Sequence, residues 1–147
     1  MLEAWGKSIN NPHYRDKELL SLQRTFMGWG AVLAMLAVAV GAFGAHILKS
    51  SLGENEMAVY ETGVHYHMMH ALGLLIVGVA AGQWGESPRL RWSGWLLLAG
   101  IVLFSGSLYA LSITGIKVLG AITPLGGVCF IAGWLLLALE AFSRRNA

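Results

Sequence analysis

The apolar positions of this chain fall into four long runs separated by short polar stretches. Phe26 to Ala45 holds no charged residue, and neither do Thr62 to Gly85 with histidines taken as neutral, Trp92 to Ile116, or Val118 to Leu139. Roughly 20 helical residues cover a hydrocarbon core of about 30 Å, so each run is long enough to cross a membrane. The runs are continuously apolar and do not alternate. That favours helices, which satisfy their own backbone polar groups, over the strands of a barrel. The pattern predicts an all-α, four-helix transmembrane bundle with spans at about 26–46, 65–84, 92–113 and 118–142, preceded by a polar segment, 1–23. The membrane domain, 24–147, leaves no room for a soluble one.

Local signals refine these elements. Met1 to Gln23 is unlike a targeting peptide, because a 20-residue apolar run follows a long polar head. Asn10-Asn11-Pro12 predicts a break, followed by a short helix over His13 to Arg24 with Leu19, Leu20 and Leu22 along the membrane surface. Ala37, Gly41 and Ala45 are spaced four apart in the first span, and Gly78 and Gly82 in the second, so neighbouring helices can approach closely there. Glu54, Glu56 and Glu61 predict an acidic loop. Gly115 predicts a helix end, and Thr123 with Pro124 predicts the start of the last helix, leaving Ile116 to Ile122 as an irregular segment.

Composition supports this picture: 56% of residues are hydrophobic and 12% charged, against about 25% charged in an average soluble domain. The net charge of +2 is small and scattered, which argues against nucleic acid as a partner. Cys129 is the only cysteine, so no intramolecular disulfide forms. Lys7, Arg15, Lys17, Arg24, Arg89, Arg91, Arg144 and Arg145 fall on one side of the predicted topology, against Lys49 and Lys117 on the other. The positive-inside bias then places both termini and the Glu86 to Arg91 loop in the cytoplasm, and His46, His65, His67 and His70 at or near the outer face.

Those histidines are the candidate chemistry, because ionisable groups at membrane depth are costly unless partnered. His46, His67 and His70 form the candidate metal site. Tyr66 or a Met could be a further partner: thioether would suit copper, a carboxylate such as Glu61 would suit zinc, and haem would need one or two axial histidines. The structural alternative is a polar cluster of His46, His70, Ser105, Tyr109 and Thr123, with His46 at the end of the first helix and His70 bonded to Tyr109 or Ser105. Ser105, Tyr109 and Ser112 recur at helical spacing and share a face. The spans contain no Asp and no orienting third residue beside a serine and a histidine, so no catalytic residue is assigned.

Four ordered motifs carry a family resemblance: Gly41-Ala42-Phe43-Gly44-Ala45-His46, His70-Ala71-Leu72, Leu103-Phe104-Ser105-Gly106-Ser107-Leu108-Tyr109, and Leu119-Gly120-Ala121-Ile122-Thr123-Pro124-Leu125-Gly126-Gly127. From about Arg24 onward the chain resembles the domain of unknown function 423 family, whose animal relatives are called transmembrane protein 256. The resemblance implies a small multi-pass protein of bacterial inner-membrane type and brings no established activity. Two features depart from it. The head, Met1 to Gln23, is longer than is usual, and His65 and His67 stand where the family more often has glutamine or another polar residue. The expectation is a non-enzymatic structural or accessory protein of the inner membrane, without a cofactor. Its partners would be the lipid bilayer and either a second copy or another membrane protein. The alternatives are metal or haem binding by the outer-face histidines, and lipid or small-solute binding or transport by an oligomer.

Overall fold

The computed structural model describes residues 12–144, with side chains from Leu22 onward. Its elements are α1 (Pro12–His46), a 3₁₀ turn (Leu48–Ser50), α2 (Glu54–Trp84), α3 (Pro88–Gly100), a π turn (Ile101–Ser105), α4 (Gly106–Thr114), a second 3₁₀ turn (Lys117–Ala121) and α5 (Thr123–Arg144). The π turn joins α3 and α4 into one continuous span, so among the described residues four helical stretches are long and apolar enough to cross a membrane. The all-α expectation holds: no strand occurs among the described residues.

Several boundaries differ from expectation. Met1 to Asn11 lie outside the described residues, and Pro12 onward joins the first span without a break. Glu54, Glu56 and Glu61 are not in a loop. They occupy the first turns of α2, which begins well before the apolar run because a helix can extend past the hydrocarbon into the headgroup layer. At Gly115 the backbone turns left-handed, φ 70°, and its amide donates to the Leu111 carbonyl at 2.8 Å, closing α4 as predicted. α3 starts on Ser87, whose hydroxyl accepts the Leu90 amide at 3.1 Å, with Pro88 in the first turn. α5 begins at Thr123, also as expected.

α1 and α2 pack antiparallel through small residues. Gly30 lies against Leu75 and the Ala71 carbonyl, Gly41 against Val64, Gly44 against the Tyr60 ring, and Gly78 against Met27. Ala37 is buried between them. The α1 seam therefore follows Gly30, Ala37 and Gly44, seven residues apart, while Ala45 is exposed. Seven residues are close to two helical turns, so this spacing keeps one stripe facing one neighbour, which a spacing of four gradually rotates away. The larger core joins Leu22 and Phe26, near the start of the first span, to Leu74, Val77, Leu90, Leu97, Ile101, Phe130 and Leu137, so α1 enters it only at that end. Accordingly 50% of the second span's most apolar stretch is buried, against 11% of the first's.

α3 and α5 close the bundle with a buried bond from the Ser93 hydroxyl to the Gly133 carbonyl at 2.8 Å. The π turn then brings the Phe104 backbone against Gly126, where any side chain would collide. Such a turn inserts one residue into a helix and displaces the residues after it. Here it delivers Phe104, Ser105 and Tyr109 to the region of the histidines.

Candidate polar site in the membrane

The polar layer sits where α2, α4 and α5 meet, in the half of the bundle away from the termini. Gly63 makes room for it: a Cβ there would stand 2.9 Å from a ring carbon of Tyr109. One turn further along α2, on the same face, Nδ1 of His67 meets the Tyr109 hydroxyl at 3.2 Å. Tyr60 packs beside Tyr109 with ring centroids 5.2 Å apart, and its own hydroxyl donates to the Val40 carbonyl of α1 at 2.8 Å. This chain of contacts links α1, α2 and α4.

His70, buried one turn deeper, behaves differently. Its Nδ1 donates to the Tyr66 carbonyl of its own helix at 2.7 Å, and its ring lies flat on Phe130, 3.4 Å between centroids at 12°. Phe104 packs on Tyr66 at 4.5 Å and on Phe130 at 5.5 Å, so an aromatic stack spans α2, the π turn and α5. On the α4 side, the Ser107 hydroxyl donates to the Phe104 carbonyl at 2.9 Å and so accepts from Thr123, 2.8 Å away on α5.

The expected polar cluster is thus only partly assembled. Tyr109 pairs with His67, not with His70 or Ser105, because Gly63 seats the phenol nearer the start of α2. Thr123 pairs with Ser107, a residue that helical spacing did not single out. Of the serine face, Ser112 donates to its own Tyr109 carbonyl at 2.9 Å, and Ser105 is fully buried. His46 is exposed in the last turn of α1. The metal site of His46, His67 and His70 is not gathered either, since among the described residues no three His, Cys, Asp or Glu side chains converge as metal ligands. Glu61, the carboxylate candidate, is exposed on α2.

Two buried polar atoms have no hydrogen-bond partner among the described residues, Nε2 of His67 and the Ser105 hydroxyl. The sequence singles out both residues but not their lack of a partner, which depends on how the helices pack around them.

Four apolar spans around a neutral His, Tyr and Ser layer define a small multi-pass membrane protein. Residues 40–127 match the model of a family described as protein of unknown function, DUF423, and the chain belongs to that family. It is 51% identical over 118 residues to the UPF0382 membrane protein YwdK of Bacillus subtilis, covering 80% of this chain and 96% of that one. A UPF0382 membrane protein of Staphylococcus haemolyticus is 50% identical over 119 residues, covering 81% and 96%. No solved structure matches the chain.

Proposed function

We propose that this chain is a non-enzymatic structural or accessory protein of the bacterial plasma membrane, with both termini in the cytoplasm, whose polar layer serves to hold its helices in one arrangement. The observation that carries this reading is the disposition of the layer's donors. His67 bonds to Tyr109 on α4 and Thr123 to Ser107 across α4 and α5, while His70 bonds to its own backbone under an aromatic stack. Hydrogen bonds between helices contribute about 0.6 kcal/mol each on average within a membrane, so groups consumed in this way fix geometry more than they add stability. The eight Lys and Arg residues on the terminal side support the orientation.

Thermal unfolding in nanodiscs tests the structural role. Tyr109→Phe removes the partner of His67 and is expected to lower stability by about 1 kcal/mol. Wild-type stability in that variant would remove the structural role. Among the described residues, Nε2 of His67 is a buried nitrogen without a partner, and it favours the metal or haem alternative. Elemental analysis and an absorption spectrum of untagged protein address it. A stoichiometric metal or a haem band, absent in a folded His67→Ala variant, would replace the structural reading.

A further inference from the structure

Between α1 and α2, at the end away from the termini, the bundle carries an open groove of about 620 Å³. Its α1 wall is low because Gly41, Ala42 and Ala45 project little, and its α2 wall is formed by Met57, Val64 and Met68. The Tyr60 ring, buried and bonded to the Val40 carbonyl, closes its back. The groove is apolar along its length and polar at one place, where Glu61 and His65, one turn apart, line it.

The depth of Glu61 follows from the helix. It precedes Trp84 by 23 residues, about 34 Å of helix, slightly more than a hydrocarbon core of about 30 Å. With Trp84 at one interface, Glu61 stands in the headgroup layer of the other, and the apolar groove runs below it. No ion pair engages Glu61 among the described residues, whereas the ion pairs present all lie at the terminal end. Lys49, exposed just beyond α1, supplies a positive charge at the same end of the helix pair.

We propose that the groove binds a phospholipid with a primary-amine headgroup, of phosphatidylethanolamine type, with its ammonium at Glu61 and an acyl chain between α1 and α2. An anionic headgroup without an amine would meet the carboxylate with repulsion. A zwitterionic one brings its ammonium to the carboxylate of Glu61, which lines the groove. A second copy of the chain would need a complement to the isolated carboxylate, and α1 presents only apolar and small residues over its span.

The full chain, purified in mild detergent, is offered phosphatidylethanolamine or phosphatidylglycerol with identical acyl chains, and bound lipid is counted by native mass spectrometry. The wild type is expected to retain the amine lipid about threefold better, the factor an exposed ion pair supplies. Glu61→Gln, an exposed substitution that breaks no bond among the described residues, should abolish the preference while leaving the melting temperature unchanged. Ala42→Phe, which fills the groove from α1, should reduce binding of both lipids. Equal retention of the two lipids by the wild type, a preference that survives Glu61→Gln, or a dimer that carries no lipid would each overturn the proposal. None of these outcomes depends on whether the polar layer is structural or binds a metal.

Discussion

The two ends of this bundle handle buried polarity in opposite ways. At the terminal end the buried carboxylate is paired with arginines. The Glu140 side chain is 5% exposed and meets Arg144 at 2.9 Å and Arg89 at 3.7 Å, both of which keep about half of their surface in contact with solvent. Glu86 pairs with Arg91 at 3.4 Å and accepts the Leu22 amide at 3.1 Å, tying the α2–α3 turn to α1. In the other half the buried groups are neutral hydroxyls and imidazoles. Apart from the Ser105 hydroxyl, they bond to one another or to backbone, and no Asp, Glu, Lys or Arg is buried with them among the described residues. The difference follows from reach to water. A long Arg side chain can cover a buried carboxylate from the interface and leave part of its guanidinium hydrated, whereas deeper in the bilayer a charge has no such option and a neutral donor is the less costly choice.

The largest effect should come from stripping the charged end. Arg89→Met with Arg144→Met leaves the Glu140 carboxylate buried without either partner, and is expected to cost about 3 kcal/mol in thermal or denaturant unfolding. Raising salt should narrow the gap between this variant and the wild type, since half-exposed guanidiniums are screened. The neutral half provides the control. The deficit of Tyr109→Phe should be the same at low and high salt, and a matching salt response in both would mean that the two ends do not differ in kind.

Next in size is the steric joint of the neutral half. Gly126 touches backbone atoms of Phe104 in the π turn, and backbone cannot swing aside as a side-chain tip can. Gly126→Ala should cost about 1–3 kcal/mol, the usual range for overpacking. Gly127→Ala, adjacent in sequence, has only the Phe104 ring near, at 3.9 Å, and should be close to neutral. Equal losses at the two positions would locate the effect in helix propensity and not in the approach of α5 to the π turn.

Legibility in the sequence differs between the fold and the site. The four spans were legible, because lipid demands uninterrupted apolar helix and leaves an unbroken trace in the sequence. The end at Gly115 and the start at Thr123 were too, since each depends on local chemistry. The start of α2 was not, because Glu54 to Glu61 lie beyond the hydrocarbon, where polar residues say little about whether the backbone is helical. Nor was the pairing of Tyr109. His67 and His70 share a helix face, and the choice between them depends on the pocket that Gly63 opens and on the π turn, which shifts α4 by one residue. Such a turn has no signature in composition or periodicity. Gly63 and His67 four apart on α2, facing a tyrosine on the next span, was the available hint.

The smallest effects decide whether the neutral half acts as a link between helices or only as a set of locally satisfied hydroxyls. Ser107 and Ser112 both donate to a carbonyl three residues back in their own helix, Phe104 and Tyr109 respectively. They differ in one respect: Ser107 also accepts from Thr123 on α5. Ser112→Ala therefore removes a bond that the helix does not need and should change stability by less than about 0.5 kcal/mol. Ser107→Ala removes the same kind of local bond and the link to α5 as well, and should cost about 0.6 kcal/mol more. A double-mutant cycle with Thr123→Val isolates that difference, because the coupling energy should be lost with either partner. A coupling of zero would mean that the Ser107–Thr123 contact adds no cohesion. α5 would then be held by the Gly126 joint, the aromatic stack and the charged end alone.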